Sequence, residues 1–275
     1  MDVDVLVRRD RAVVISGLGL VTAVAMGYTV YQAWLMEVDP LVYLVNGFGA
    51  FCAPGESWLG IEMWMPPTAG WTFSDLVMLF LMWAIMMTAM MLPSVAPTVV
   101  GFATINRRRA AMRRPYASTA VFLGGYLSAW MGFCVVATLL NWQLHQVGVM
   151  SPLMTNTSPL LAGALLILAG AYQYTPLKHA CLSQCRTPLF QMLTKWRPGR
   201  LGAYMAGVSH GLYCVGCCWA LMLLMFVSGV MSLLWFAGLT LFVLAEKLLP
   251  QGIWVQALNA SMIGAGVALV ANALV

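Results

Sequence analysis

The feature that most constrains the fold is a series of apolar runs, nearly all about 20 residues or longer, the length that carries an α-helix across a bilayer. Inside hydrocarbon only helices and closed barrels satisfy every backbone polar group. Runs of this length read as helices. Seven of them are read as spans: 13–36, 73–102, 116–142, 158–175, 201–227, 230–248 and 252–274. The expected fold class is all-α, a polytopic transmembrane helix bundle, with residues 1–275 forming a single integral membrane domain. Composition removes the alternatives. The chain is 61% hydrophobic and 8% charged, which leaves too few polar side chains to coat a water-soluble globule. Disorder requires the opposite balance. The expected partner is lipid, not nucleic acid, and the small positive charge is put down to topology.

Orientation follows from the cations. With seven spans, all fourteen Lys and Arg fall on one side: Arg8, Arg9 and Arg11; Arg107–Arg109 with Arg113 and Arg114; Lys178, Arg186, Lys195, Arg197 and Arg200; and Lys247. The positive-inside rule makes that side cytoplasmic. The N-terminus is then cytoplasmic and the C-terminus periplasmic, in the inner membrane of a bacterium. Arg8 to Ala25 resembles a signal peptide, but the apolar run continues to Met36, too far for one. It is read as an anchor.

Sulfur is the chemical theme, with 21 Met and 7 Cys. Met and free Cys are also acceptable apolar filler in a bilayer, so placement has to decide. In span two Met78, Met82, Met86 and Met90 recur every four residues, broadened by Met87 and Met91, before Pro93 and Pro97, which are expected to kink or interrupt the helix. In span five His210, Cys214, Cys218 and Met222 follow at intervals of four, with Cys217 beside them, all on one helical face. Gly207, Gly211 and Gly216 offer close approach to a neighbouring helix. At a rise of about 1.5 Å per residue, Cys214–Cys218 lie roughly 18–24 Å and Met86–Met91 roughly 18–26 Å along their spans. Both depths overlap near the midplane, so a methionine stripe and a cysteine stripe are able to face each other.

Thiolates and thioethers select Cu(I) or another soft ion, with zinc the second choice. A thiolate cancels the charge of Cu(I), which a hydrocarbon interior demands. The metal-site residues expected are Cys214, Cys217, Cys218, His210, Met86, Met90 and Met222. A second pair, Cys181 and Cys185, lies in the long segment 176–200, read as a cytoplasmic loop. The two share a face if that loop is helical, and cytoplasmic redox conditions disfavour a disulfide there. In the outer loop, Cys52, Glu56, Glu62, Met63 and Met65 are weaker ligand candidates.

Several strings together carry a resemblance: Met90-Met-Leu-Pro-Ser94, Tyr172-Gln-Tyr-Thr-Pro-Leu-Lys178, Cys181-Leu-Ser-Gln-Cys-Arg186, Cys214-Val-Gly-Cys-Cys-Trp-Ala-Leu-Met222 and Glu246-Lys247. Over about 80–250 the chain resembles a bacterial family of predicted metal-binding integral membrane proteins, some described as membrane copper chaperones. The resemblance implies metal binding and, for a chaperone, a copper-enzyme client. The function expected is a non-enzymatic copper chaperone that hands Cu(I) to a membrane or periplasmic copper enzyme. Neither a Walker loop nor the Asp-Lys-Thr-Gly string of phosphorylated pumps is present. The alternatives are a thiol or metal-dependent redox enzyme subunit, and a non-catalytic assembly subunit in which Glu246 and Lys247 form an interfacial ion pair. The chain holds three His, few for a redox copper centre.

Overall fold

The computed structural model describes residues 70–111, 119–149, 158–187, 199–228, 233–249 and 252–274, with a few helical positions between 16 and 27. Most of the first expected span, and the outer-loop residues Cys52 to Met65, lie outside the described residues. Those described form helices α1 (Phe73–Ala111), α2 (Thr119–Gln146), α3 (Pro159–Tyr172), α4 (Pro176–Arg186), α5 (Gly199–Met222), α6 (Met225–Ser228), α7 (Leu233–Leu248) and α8 (Ile253–Leu274). No strand occurs among the described residues.

Local chemistry sets several boundaries. Thr72 and Asp75 open α1 as a capping box: the Asp75 carboxylate accepts from the Thr72 backbone N–H at 2.8 Å and from its hydroxyl at 2.6 Å. Ser158 caps α3 and Thr175 caps α4, each followed by proline at the first helical position, where a missing N–H costs nothing. Gly199, at φ 85°, opens α5 in a conformation that side chains other than glycine rarely adopt. Pro93 and Pro97 do not end α1, which runs through both to Ala111. The hydroxyls of Ser94 and Tyr126 both donate to the Met91 carbonyl beside them, at 2.9 and 3.5 Å.

Helices α1, α2 and α5 form the central packing unit. The expected small-residue contact is there. A Cβ at Gly207 would land on the Phe122 carbonyl oxygen, and one at Gly125 on that of Tyr204. A Cβ at Gly211 would meet Ala129 at 2.7 Å. Gly207 against Phe122 and Gly211 against Ala129 run in the same order along both helices, so α2 and α5 are parallel. Phe102 stacks on Phe122 at 4.7 Å and Trp71 meets His145 at 5.3 Å, so α1 and α2 are antiparallel. A second glycine seam, Gly163 and Gly170 against Gly266 and Asn259, joins α3 to α8 in antiparallel fashion.

Among the described residues, four helices are long and apolar enough to cross a membrane: the stretches Phe73–Arg107, Thr119–Gln146, Gly199–Val227 and Ile253–Leu274. The fourth expected span, 158–175, is only half of such an element. Helix α3 is 14 residues long, and the chain bends by 64° into α4, the two together having the length and composition of a broken span or a re-entrant loop. The segment read as a loop therefore begins with a helix. In the sixth expected span, α7 has 16 described helical residues. Helix α5 gives way to a turn after Met222, but the membrane-length stretch continues through α6 to Val227, the end expected for the fifth span.

Candidate metal site

Four free thiols converge where α4, α5 and α7 meet. On α5, the Cys217 and Cys218 thiols both donate to the carbonyl of Cys214, at 3.1 and 2.9 Å. That shared acceptor follows from the i−3 and i−4 spacing, and it keeps the three cysteines on one face. All three are buried. Helix α4 brings the fourth: Cys185 Sγ lies 3.9 Å from Cys217 Sγ. Cys181, half-buried, packs on Gly216, where a Cβ would come within 2.8 Å of its sulfur. Gly216 is thus the gap that lets α4 lie against α5.

The surroundings are polar and charged. Cys214 Sγ receives the Lys247 ammonium at 2.9 Å and contacts the Tyr126 hydroxyl at 3.2 Å. Lys247 also donates to Ser94 Oγ at 2.9 Å. One sulfur thereby gathers α2, α5 and α7, and Ser94 ties in α1. One turn before Cys214, His210 is buried among the rings of Tyr126 and Phe122, and its Nδ1 has no hydrogen-bond partner among the described residues. Met222 is buried one turn beyond Cys218.

Beside the thiols runs an ion pair. Lys178 Nζ contacts both Glu246 oxygens at 2.7 Å, with the two side chains 1% and 3% exposed. Arg186 donates to the backbone carbonyls of Glu246 and Leu249. Lys178 is therefore not a loop cation, and the partner of Glu246 is Lys178 rather than the adjacent Lys247. These contacts clamp α4, with Cys185, onto α7, with Lys247.

The place of the junction along the helices follows from the rise per residue. Ser94 and Tyr126, which touch it, lie about 30 Å from the far ends of α1 and α2 at 1.5 Å per residue. Arg107 lies about 20 Å beyond Ser94 along α1, and Arg200 about 21 Å before Cys214 along α5, so these arginines mark the end of the bundle rather than the junction itself.

The methionines divide. Met86, Met87, Met90 and Met91 are buried in the same core as the cysteines, Met82 is half-buried, and Met78 is 48% exposed. A four-residue repeat drifts about 40° per step around a helix of 3.6 residues per turn, which turns Met78 outward. Contacts from α1 to the thiol junction run through Ser94 and Met91, whose sulfur lies 3.9 Å from Ser94 Oγ. Sequence reading missed Ser94, Tyr126 and the role of Lys247. A lysine closing an apolar run was a usable signal for the last; the others depend on long-range packing.

The donor set fits a soft cation. Two thiolates about 2.3 Å from one ion, at an angle near 120°, stand about 4.0 Å apart, and the Cys185–Cys217 separation of 3.9 Å is close to that. Among the described residues, no three His, Cys, Asp or Glu side chains stand ready-made as a coordination shell. Cys217 and Cys218 rest their thiols on their own backbone and would have to rotate off it to bind. Site and fold together define an apolar helical membrane protein with a buried, multi-thiol junction. The chain belongs to the PpoB2 copper chaperone family, which matches residues 80–274 and thereby covers every cysteine of the junction. Comparisons with curated proteins and with solved structures return no match. Family membership implies copper binding and a copper-related partner, and it fits a role outside catalysis.

Proposed function

We propose that the chain carries Cu(I) as cargo, binding it at Cys214, Cys217, Cys218 and Cys185 and passing it to a copper enzyme on the periplasmic side or within the membrane. The observation that carries this reading is the convergence of thiols from two helices, 3.9 Å apart at Cys185 and Cys217, beside a third on which a lysine rests. Soft sulfur ligands favour Cu(I) over hard cations, and Zn²⁺ is the competing metal. His210, Met222, Cys181, Met86 and Met90 serve as flanking donors through which an ion is exchanged. In this reading Lys247 is the protein's own cation at the site: its ammonium leaves Cys214 when Cu(I) arrives, so one positive charge replaces another in a region where net charge is expensive. The pair Lys178–Glu246 positions α4 for this exchange.

The setting is one integral membrane domain over residues 1–275, with seven spans in the bacterial inner membrane. The N-terminus is cytoplasmic and the C-terminus periplasmic. The described helices support alternation, and Arg107 and Arg200 support cytoplasmic placement of the end of the bundle from which α5 starts. Copper then enters near Cys181 and Cys185 and leaves toward the client. Ligand exchange moves it, with an apo-enzyme as the sink. The test is metal analysis of the purified chain under reducing conditions. About one Cu(I) per chain is expected, lost in the Cys217→Ser/Cys218→Ser variant. Zn²⁺ taken up in preference to Cu(I) overturns the metal assignment, and uptake of neither overturns the reading.

A further inference from the structure

Away from the thiol junction, many of the buried polar atoms that lack a partner gather on one face of α2. Tyr126, Trp130, Cys134, Thr138, Asn141 and His145 follow at spacings of four, four, four, three and four, a single helical stripe. The stripe faces the bundle: Cys134 and Asn141 are 0% exposed and Thr138 5%. Among the described residues, neither polar atom of the Asn141 amide has a hydrogen-bond partner, and neither do Thr138 Oγ1, Trp130 Nε1 and His145 Nε2. On the opposite side of the same helix, Val135, Val136 and Leu139 are 47%, 63% and 49% exposed, an ordinary lipid-facing surface.

Two contacts fix the ends of the stripe. Tyr126 touches Cys214 Sγ at 3.2 Å, and the His145 ring lies against Trp71 beside the start of α1. Between them the helix rises about 28 Å, close to the thickness of a hydrocarbon core. A buried amide with no partner is costly. Polar groups inside a membrane bundle characteristically mark paths for ions or water. Here they connect the thiol junction to an imidazole at the far end of α2, with a thiol, Cys134, between.

We propose that this face of α2 is the path along which the cargo ion moves between the thiol junction and the far rim, with Cys134 as the intermediate ligand and Asn141 and His145 receiving the ion as it meets water. The proposal rests on the Cu(I) cargo reading and adds the route. Each step is ligand exchange. Cu(I) keeps its oxidation state, and Cys134 releases its proton on taking the ion and regains one when the ion moves on.

The test is reaction with a membrane-impermeant methanethiosulfonate bearing a trimethylammonium head, added on the side where α2 ends, to the full chain in sealed vesicles. Modification is read by peptide mass at native Cys134 and in Thr138→Cys, Asn141→Cys, Val136→Cys and Leu139→Cys. Positions 138 and 141 are expected to react at least about tenfold faster than 136 and 139, because access governs thiol labelling. Cu(I) added first is expected to slow reaction at Cys134. If a variant does not fold, native Cys134 in the unaltered chain carries the test: labelling slowed by Cu(I) supports the path, and no labelling overturns it. Copper bound at the junction is measured on the same samples. Bound copper without a rate difference means no path; a rate difference without bound copper means the wrong cargo. Either result overturns the proposal.

Discussion

Changing Glu246 to glutamine isolates the clamp that holds α4 in place. Lys178 Nζ sits 2.7 Å from both carboxylate oxygens, and neither side chain is more than 3% exposed. At an effective dielectric constant of about 20, the attraction across that distance is about 6 kcal/mol. The cost of taking both charges out of water offsets much of it, so the pair as a whole adds little net stability. Removing one partner is another matter, since it strands the other charge in a dry site. Glu246→Gln is therefore expected to destabilise the protein by about 3–5 kcal/mol, and Lys178→Met by a similar amount. The double variant, with neither charge, is expected to recover most of that loss. The assay is unfolding by titration with SDS in mixed micelles, run on both single variants and the double. Single variants within about 1 kcal/mol of the parent, the range of exposed ion pairs, would refute the reasoning. So would a double variant whose loss equals the sum of the singles, because coupling is what defines the pair.

Oxidation of the metal-free protein is expected to join Cys185 to Cys217, whose sulfurs are already 3.9 Å apart; peptide mapping that finds Cys181–Cys185 as the main product would contradict the placement of α4. Gly207→Ala is expected to cost about 1–3 kcal/mol through overpacking, because its Cβ would land on the Phe122 carbonyl, whereas Gly132→Ala, with open space around it, is expected to be tolerated; thermal stability in detergent separates them. Lys247→Met removes a charged donor from both Ser94 and Cys214 and is expected to destabilise the fold by about 1.5–3 kcal/mol per lost contact; an unchanged SDS midpoint would show that the lysine does not tie α7 to α1 and α5. Cu(I) affinity is expected to fall as pH is lowered from 8 to 6, by up to about tenfold per pH unit for each thiol that must give up a proton; chelator competition that shows no pH dependence would exclude thiols as ligands.

What could be read from sequence was what helical periodicity and apolar length encode. The stripe of His210, Cys214, Cys218 and Met222 is a matter of spacing, and the contact at Gly207 and Gly211 is a matter of side-chain size, so both were legible. Helix α4 was harder. Its residues are polar on average, and Pro176 reads as a loop breaker. Thr175-Pro176 is also the signature of a helix start, and reading it that way would have turned the segment into a helix. The Lys178–Glu246 pair joins residues 68 apart, and Ser94–Lys247 residues 153 apart. No local pattern announces either. The positive-inside rule treated Lys178 and Lys247 as topology markers, because charge count carries no information about burial. The methionine stripe was legible in its buried half only, since a repeat of four drifts around the helix and carries Met78 to the surface.

The central claim is that thiols of α4 and α5 share one soft cation. It is tested most directly by sulfur-edge and copper-edge X-ray absorption of the purified, reduced chain loaded with Cu(I), together with metal counting. The account predicts about one copper per chain, with sulfur neighbours near 2.3 Å, and loss of that metal in Cys217→Ser/Cys218→Ser. Copper held by nitrogen or oxygen alone, or held unchanged in the double serine variant, would contradict it.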